Sequence, residues 1–350
     1  MSINFRTARY CAALVAVATL VAHRPAARAE CTADAKKLRI DPADFKGRLQ
    51  FRYTRVQNDR RLNPTTDGFT LNRLRLGYER TLFGCIDLEV DVELKNDPSL
   101  KDGRLDFRPH PFATVTIGQF KVPFGMENFE SRTRLLTLTR AELFERIENR
   151  DVGVMLSGER VLSGYLSYYV GAFNGNGPNN LTNDNDKLLV AAWLRAHPAS
   201  WLDLGGYYSH NETTTTKLQS TNTHSVGGEL RVTAGGFTLQ AEAVYAFVQA
   251  VDDDNRFNRW GYYVLGAWRH KFAKWADLEL VAKWEEFDPD DREVNRFDLQ
   301  WLTGGLTYYL EDYKAKLMLN VIHKNEVERQ SAGEFELKNT TGLAQLQLMW

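Results

Sequence analysis

The sequence predicts an all-β fold: a transmembrane antiparallel β-barrel of about 16 strands, with a long loop folded into the lumen. Three observations support this fold class. Segments of about ten residues alternate apolar and polar side chains, which is the two-residue period of a strand. Short turns alternate with long polar connections, as they do at the two ends of outer-membrane barrels. The chain ends on Trp350 after apolar residues at alternate positions, as strands that close such barrels commonly do.

The clearest strand covers residues 86–95, where Asp87, Glu89, Asp91 and Glu93 alternate with apolar residues. A strand places the two sets on opposite faces, whereas a helix would scatter them around its axis. A soluble β-sandwich is the alternative fold, but no segment resembles a central strand buried on both faces. We predict strands at residues 45–57, 69–80, 86–95, 103–109, 113–121, 151–159, 165–173, 187–196, 202–210, 223–233, 237–249, 259–270, 278–287, 297–310, 316–325 and 337–350.

The connections between these strands define the two ends of the barrel. Short turns are predicted at 163–164, 197–199 and 234–236. An even number of strands places both termini on the short-turn side, which is the periplasmic side. The long polar connections, on the opposite side, are 57–68, 174–186, 211–221, 250–258, 288–295 and 326–336.

The N-terminus has the pattern of a secretory signal peptide. Arg6 and Arg9 give a basic start, an apolar run follows at 10–22, and Ala-Arg-Ala at 27–29 fits a cleavage site. A retained anchor helix is the alternative, although the run is short for a membrane helix. We therefore divide the chain into a signal peptide at 1–29, a periplasmic lead-in at 30–44 and a barrel domain at 45–350.

Charge and composition exclude some functions and favour a membrane location. The whole chain has a net charge of −1, and removal of residues 1–29 takes away four arginines and no acid. This balance argues against a nucleic-acid-binding protein, which would be basic overall. The aromatic content of 12% is high, and the aromatic residues recur near strand ends, where barrels carry interfacial girdles.

Three cysteines are present, and Cys11 would leave with the signal peptide. Cys31 and Cys85 remain in an oxidising compartment, where they either form a disulfide or stay unconnected. Their spacing does not match a metal site. The sequence predicts no cofactor and no metal.

The chain is organised around residues 114–158, which comprise a strand, a long charged loop and a second strand. Long loops in compact proteins are uncommon and usually functional. Within the loop, Leu143 and Ile147 are four residues apart, which predicts a short helix lying against the barrel wall. The segment mixes Arg132, Arg134, Arg140, Arg146 and Arg150 with Glu127, Glu130, Glu142, Glu145 and Glu148.

Four motifs resemble the phosphate-selective porin family, porins O and P: Asn-Arg-Leu-Arg-Leu-Gly-Tyr at 72–78, Gly-Gln-Phe-Lys-Val-Pro-Phe-Gly at 118–125, Asn-Arg-Asp-Val-Gly-Val at 149–154 and Phe-Asn-Gly at 173–175. The second is the most specific, and the likeness covers nearly all of the mature chain. The resemblance implies a trimeric sixteen-stranded channel in the outer membrane of a Gram-negative bacterium. Its third long loop would form a constriction. It also implies passive diffusion of small anions, phosphate or polyphosphate among them, without an enzymatic reaction.

Strand alternation identifies the side chains that would line such a pore. It places Arg48 and Arg52 of the first strand, Arg73 and Arg75 of the second and Arg108 of the fourth on the lumen face. A guanidinium offers five donors that match phosphate geometry, and it keeps its charge at every working pH. The candidates in and beside the loop are Lys121, Arg132, Arg134, Arg140 and Arg150.

Carboxylates on the same face leave the ion preference open. The second and third strands form a hairpin, so Arg73 and Arg75 should face Glu89, Asp91 and Glu93. If these acids neutralise the arginines, the protein is a general or weakly cation-preferring porin.

Two further alternatives belong to other classes. One is an outer-membrane barrel hydrolase, but the sequence contains no Gly-x-Ser-x-Gly elbow and no evident Ser/His/acid grouping. The other is a structural or adhesive barrel with a closed lumen.

Overall fold

The structure is a computed structural model that describes residues 41–57, 67–145, 150–216, 219–250, 256–273, 276–292, 298–326 and 339–350. The predicted signal peptide, most of the lead-in and Arg146 lie outside the described residues. Cys85 is disulfide-bonded, and Cys31, with which the sequence left a disulfide open, lies outside the described residues. The described residues contain no helix long and apolar enough to cross a membrane.

Sixteen antiparallel strands form a closed barrel in which each strand pairs with its sequence neighbours and β1 pairs with β16. The predicted antiparallel barrel of 16 strands is therefore confirmed. Closure leaves no unpaired sheet edge, which a membrane barrel requires. The strands are β1 Phe45–Val56, β2 Gly68–Leu82, β3 Ile86–Glu93, β4 Ser99–His110, β5 Ala113–Lys121, β6 Arg150–Val161, β7 Leu166–Phe173, β8 Leu189–Ala199, β9 Leu202–Thr216, β10 Gln219–Ala234, β11 Phe237–Ala250, β12 Arg256–Ala273, β13 Ala276–Asp288, β14 Leu299–Glu311, β15 Ala315–Glu326 and β16 Asn339–Met349.

The two faces of the wall differ in polarity. On β1, Gln50 is 2% exposed and its neighbour Phe51 is 44% exposed. Successive side chains of a strand point to opposite faces, so apolar side chains such as Phe51 and Leu76 face outward. Buried polar groups face the interior, as they do in transmembrane barrels.

Side chains as well as backbone join the strands that close the barrel. Gln50 lies opposite Gln347 on β16, and its Nε2 donates a 2.8 Å hydrogen bond to the Gln347 side-chain oxygen. Between β1 and β2 the register shifts after Gln50. Asn72 lies at this irregularity and donates to the side-chain oxygens of Gln50 and Gln345. A bulge thus directs an additional polar side chain into the interior.

Several strands extend further than their sequence pattern indicated. The predicted turn at 197–199 belongs to β8, and Pro198 lies within a register shift between Ala196 and Ala199. Proline is tolerated at such an irregularity because no ladder hydrogen bond is needed there. Most of the predicted loop at 211–221 is strand, since β9 and β10 continue their pairing through threonine-rich sequence. Threonine favours strands, and its polarity alone suggested a loop.

The segment between β5 and β6 contains two short helices, α1 (Met126–Phe129) and α2 (Glu142–Glu145). The second includes Leu143 of the predicted helix, and Ile147 lies outside the described residues. The backbone N–H of Leu138 donates to Asn320 Oδ1 at 2.7 Å, and Gln347 Nε2 donates to the Thr133 carbonyl at 3.1 Å. Because these wall side chains face the interior, the segment packs inside the ring of strands. Side chains that contact it come from β1, β11, β13, β15 and β16.

An apolar cluster fills the space between this segment and one side of the wall. Phe124 and Phe144 of the segment are both fully buried. Phe124 packs edge-on against Tyr207 at 4.6 Å between ring centroids, and Phe144 packs against Tyr263 at 6.4 Å. Burial of large aromatic rings is strongly stabilising. It holds the segment against the β9–β12 side of the barrel.

Candidate functional site

Two basic side chains hold the turn that follows α1. Arg140 Nε donates to the Glu127 carbonyl at 2.9 Å, and one of its terminal nitrogens donates to the Glu130 carbonyl at 2.9 Å. Lys121 Nζ donates to the carbonyls of Phe129 and Glu130 at 2.9 and 2.7 Å. Charge-assisted hydrogen bonds are stronger than neutral ones. Both residues therefore stabilise the segment in addition to contributing positive charge.

Backbone geometry requires glycine at both ends of the Gly-Gln-Phe-Lys-Val-Pro-Phe-Gly motif. Gly118 has φ +122°, and a Cβ there would overlap the carbonyl oxygen of Gly103. Gly125, just before α1, has φ +78°, and a Cβ there would overlap the ring of Phe144. Only glycine adopts such φ values without strain. The motif thus shapes the entry of the chain into the barrel interior.

A cavity of about 230 Å³ lies between this segment and the walls of β1 to β6. Eight basic and two acidic side chains line it, together with Phe129, Ser131 and Thr133. We call it the basic cavity. Its acids are Glu89 and Asp102, and its basic residues are Arg48, Arg73, Arg75, Arg104, Lys121, Arg132, Arg140 and Arg150.

Carboxylates of β3 hold the arginines of the first two strands. Asp91 Oδ2 accepts from Arg48 at 3.2 Å and from Arg75 at 3.3 Å. Glu93 lies 2.9 Å from Arg75 and 3.5 Å from Arg73. The predicted hairpin pairing of Arg75 with Asp91 and Glu93 therefore exists. Each of these two carboxylates is shared between two guanidinium groups.

Strand β4 contributes further ion pairs to the basic cavity. Asp102 binds Arg150 through both carboxylate oxygens, at 3.2 and 2.8 Å. Glu89 lies 2.6 Å from Arg104. Sequence reasoning did not select Arg104. It shares a face with Arg108, which was predicted to face the lumen, so continuing the two-residue alternation toward the start of β4 would have found it.

Comparison with known proteins identifies the family. The family profile described as phosphate-selective porin O and P matches residues 44–193 and 202–350. The chain belongs to this family. It is therefore an outer-membrane porin, as the resemblance implied. A search of curated proteins found no matching sequence.

Solved structures support the porin fold at low sequence identity. An anion-selective porin from Comamonas acidovorans aligns with TM-score 0.63 and 11% identity, covering 87% of this chain and 98% of that chain. The outer-membrane channel DcaP of Acinetobacter baumannii aligns with TM-score 0.63 and 11% identity, covering 87% and 96%. A loop-deletion mutant of OmpT from Vibrio cholerae aligns with TM-score 0.62 and 14% identity, covering 88% and 98%.

Three predicted pore residues of this porin lie outside the lining of the basic cavity. Arg52 donates to Gln345 at 2.9 Å and to the Leu138 carbonyl at 3.2 Å, so it connects β1 with the loop. Arg108 forms an ion pair with Asp87, and its side chain is 62% exposed. It lies near the end of β4, where a short turn leads to β5.

Arg134 and Arg132 line different cavities although only one residue separates them. Its side chain lines a second cavity, of about 630 Å³, together with Arg195 and Arg231. We call this space the second cavity. Ser131 and Arg134 belong to a tight turn, in which the Arg134 N–H donates to the Ser131 carbonyl. The turn sends the two arginine side chains to different cavities.

Proposed function

We propose that this porin allows passive diffusion of small hydrophilic anions, with inorganic phosphate or polyphosphate as the favoured substrates. We further propose that the basic cavity is its constriction. The observation that carries this proposal is the lining of that cavity, in which eight basic side chains face two acidic ones. Rings of arginine and lysine select anions in pores.

The chemistry of these groups suits a tetrahedral oxyanion. A guanidinium presents a planar set of donors that binds two oxygens at once. Arg73, Arg75 and Arg132 come from the wall and from the loop, so an anion passing between them would meet donors from opposite sides. In a confined space with low-dielectric walls, such charges act over a longer range than in water. Passage down a concentration gradient needs no chemical reaction.

The solved structures give further support. The Comamonas acidovorans protein with the same barrel is described as an anion-selective porin. A form of the Vibrio cholerae OmpT structure is described as a trimer. We propose that this chain likewise assembles as a homotrimer, with its apolar outer face in contact with outer-membrane lipid.

A general or weakly cation-preferring porin is the second candidate, and the ion pairs favour it. Asp91, Glu93 and Asp102 all lie within salt-bridge distance of cavity arginines. If these carboxylates cancel the field of the arginines, the lumen has no anion preference. The sharing of Asp91 between two arginines argues against full cancellation.

Zero-current potential separates the two candidates. The signal-free protein would be refolded and placed in a planar bilayer under a KCl gradient, and the measurement would be repeated with added phosphate. We expect a potential of anion-selective sign and a chloride current that phosphate reduces. A potential near zero or of cation-selective sign would instead establish the general porin. Absence of any channel current would contradict both.

A further inference from the structure

Three polar side chains form a hydrogen-bonded chain on the inner face of the wall, away from the basic cavity. Ser167 Oγ lies 2.9 Å from His197 Nε2, and His197 Nδ1 lies 2.5 Å from Asp203 Oδ1. The residues belong to the adjacent strands β7, β8 and β9, near their periplasmic ends. Ser167 and His197 are both largely buried, at 3% and 6% exposure.

The order of these groups fixes where the protons lie. A carboxylate oxygen can only accept, so the Nδ1 of His197 carries the proton that it shares with Asp203. When the imidazole is neutral, Nε2 then has a lone pair and accepts the hydroxyl proton of Ser167. A hydroxyl, a base within hydrogen-bond distance and an acid that orients the base constitute the arrangement of an activated nucleophile.

The backbone beside Ser167 has a strained conformation that positions the serine hydroxyl. The β6–β7 register shifts between Gly158 and Val161. Arg160 lies within this bulge and has φ +46°, which is unusual for a residue with a side chain. Its backbone N–H donates to Ser167 Oγ at 2.9 Å and fixes the hydroxyl in place. Strain of this kind accumulates at functional sites.

The same three residues line the second cavity, together with three aromatic side chains, four arginines and the two further acids Glu130 and Glu159. Tyr169 and Trp193 stack at 4.9 Å between ring centroids and Phe129 packs edge-on against Trp193 at 5.3 Å. The basic part consists of Arg134, Arg160, Arg195 and Arg231. An aromatic surface next to guanidinium groups suits a flat aromatic molecule that carries a negative charge.

We propose that Ser167, His197 and Asp203 form a hydrolytic site for carboxylic esters of small anionic aromatic compounds. Ser167 Oγ forms a bond to the carbonyl carbon as its proton passes to His197 Nε2. The carbon–oxygen bond of the ester then breaks, and the leaving alcohol takes that proton. Water, deprotonated by His197, repeats the sequence and releases the acid. The arginines of the cavity hold the anionic group of the substrate.

Covalent labelling of the refolded full-length mature protein tests the nucleophile directly. A fluorophosphonate probe reacts with activated serines, and peptide mass spectrometry locates the adduct. We expect labelling at Ser167 and its loss in the Ser167→Ala and His197→Asn variants. Ser225→Ala is the matched control, because Ser225 faces another part of the interior from β10. An unlabelled wild-type protein, or an adduct on other serines only, overturns the proposal.

Substrate turnover tests the proposed ester class. We expect the wild-type protein to hydrolyse 4-acetoxybenzoate faster than a cationic aryl acetate. A positioned general base contributes about 100-fold or more to such reactions, so Ser167→Ala and His197→Asn should each reduce hydrolysis by that factor. Hydrolysis that all variants retain would overturn the proposal and leave a purely structural network joining β7, β8 and β9.

Channel measurements distinguish a failure of this proposal from a failure of the proposed transport function. Ser167 and His197 do not line the basic cavity. Ser167→Ala should therefore keep the wild-type conductance and zero-current potential, which also verifies that the variant has folded. Loss of ester hydrolysis with intact conductance supports the hydrolytic site. Loss of anion selectivity without loss of hydrolysis bears on the transport proposal and not on the hydrolytic site.

Discussion

The carboxylate of Glu242, on β11, accepts a 2.8 Å hydrogen bond from the backbone N–H of Glu127 in α1. It also accepts from the N–H of Met126 and from the hydroxyl of Tyr263, at 2.5 and 2.7 Å. The first N–H groups of a helix have no partner within the helix and favour a negative charge. Glu242 thus caps α1 from the wall against which the loop segment packs and helps to hold the segment there.

Replacement of Glu242 by alanine should loosen this attachment. Four buried donors, the fourth being the Tyr207 hydroxyl at 3.4 Å, would lose their acceptor. Each unsatisfied buried group costs about 1–3 kcal/mol. We expect a lower urea midpoint of unfolding in detergent micelles and larger fluctuations of the single-channel current. Glu242→Gln retains one acceptor oxygen, so its effects should be intermediate. An unchanged midpoint and an unchanged current in Glu242→Ala would mean that the apolar cluster alone holds the loop.

Arg132 and Arg134 provide a matched pair for the constriction. Arg132 lines the basic cavity, whereas Arg134 lines the second cavity. Arg132→Gln should lower the anion-to-cation permeability ratio, roughly several-fold, because it removes a fixed charge from the proposed constriction. Arg134→Gln should change the ratio much less. The ratio follows from the zero-current potential under a KCl gradient.

The reverse result would be equally informative. If Arg134→Gln had the larger effect, the selectivity site would lie at the second cavity. Arg140 is left intact in this comparison because it holds the backbone of the segment through the carbonyls of Glu127 and Glu130. Its loss would combine a change of charge with a change of loop conformation.

Local sequence pattern sufficed to predict the wall but not the loop. The inward position of Arg73 and Arg75 follows from a two-residue period, and their partners follow from a hairpin with a short turn. The separation of Arg132 from Arg134 depends on a tight turn held by long-range contacts such as Gln347 with Thr133. No local pattern contains such information, because the partners are far apart in sequence.

The Ser167, His197 and Asp203 chain illustrates a second limit. These residues lie on three strands, so their proximity depends on the registers of two hairpins. In the β7–β8 pairing Ser167 lies opposite Arg195. His197 lies two residues beyond Arg195 on the same face of β8, next to Ser167. Continuing the pairing of Ala196 with Leu204 by one residue places His197 opposite Asp203, and the register shift before Ala199 follows directly. A bulge moves a side chain relative to the ladder, and the sequence does not specify where the extra residue is accommodated.

Asp91 offers a test of the balance between acids and arginines. It accepts from both Arg48 and Arg75, so Asp91→Asn should leave more positive charge in the basic cavity. We expect a higher anion-to-cation permeability ratio and block of the chloride current at lower phosphate concentration. Asp87→Asn is the control, since Asp87 pairs with Arg108 outside this cavity. An equal response of both variants would indicate a general effect of net charge.

Gly118 allows the shape of the loop entry to be tested without a change of charge. Its φ of +122° and the close approach of the Gly103 carbonyl leave no room for a methyl group. Gly118→Ala should therefore lower the free energy of unfolding by about 1–3 kcal/mol, which is the usual cost of such backbone strain. Urea titration in detergent micelles measures this change.

Gly266→Ala is the matched control for that measurement, because a Cβ at Gly266 meets no atom within 4 Å. This variant should keep the wild-type unfolding midpoint. Since β5 leads directly into the loop, a shifted strand at Gly118 would also displace Lys121 and the turn that it holds. We therefore expect Gly118→Ala, but not Gly266→Ala, to alter the single-channel conductance. Equal midpoints and conductances for the two variants would mean that β5 absorbs the methyl group without moving the loop.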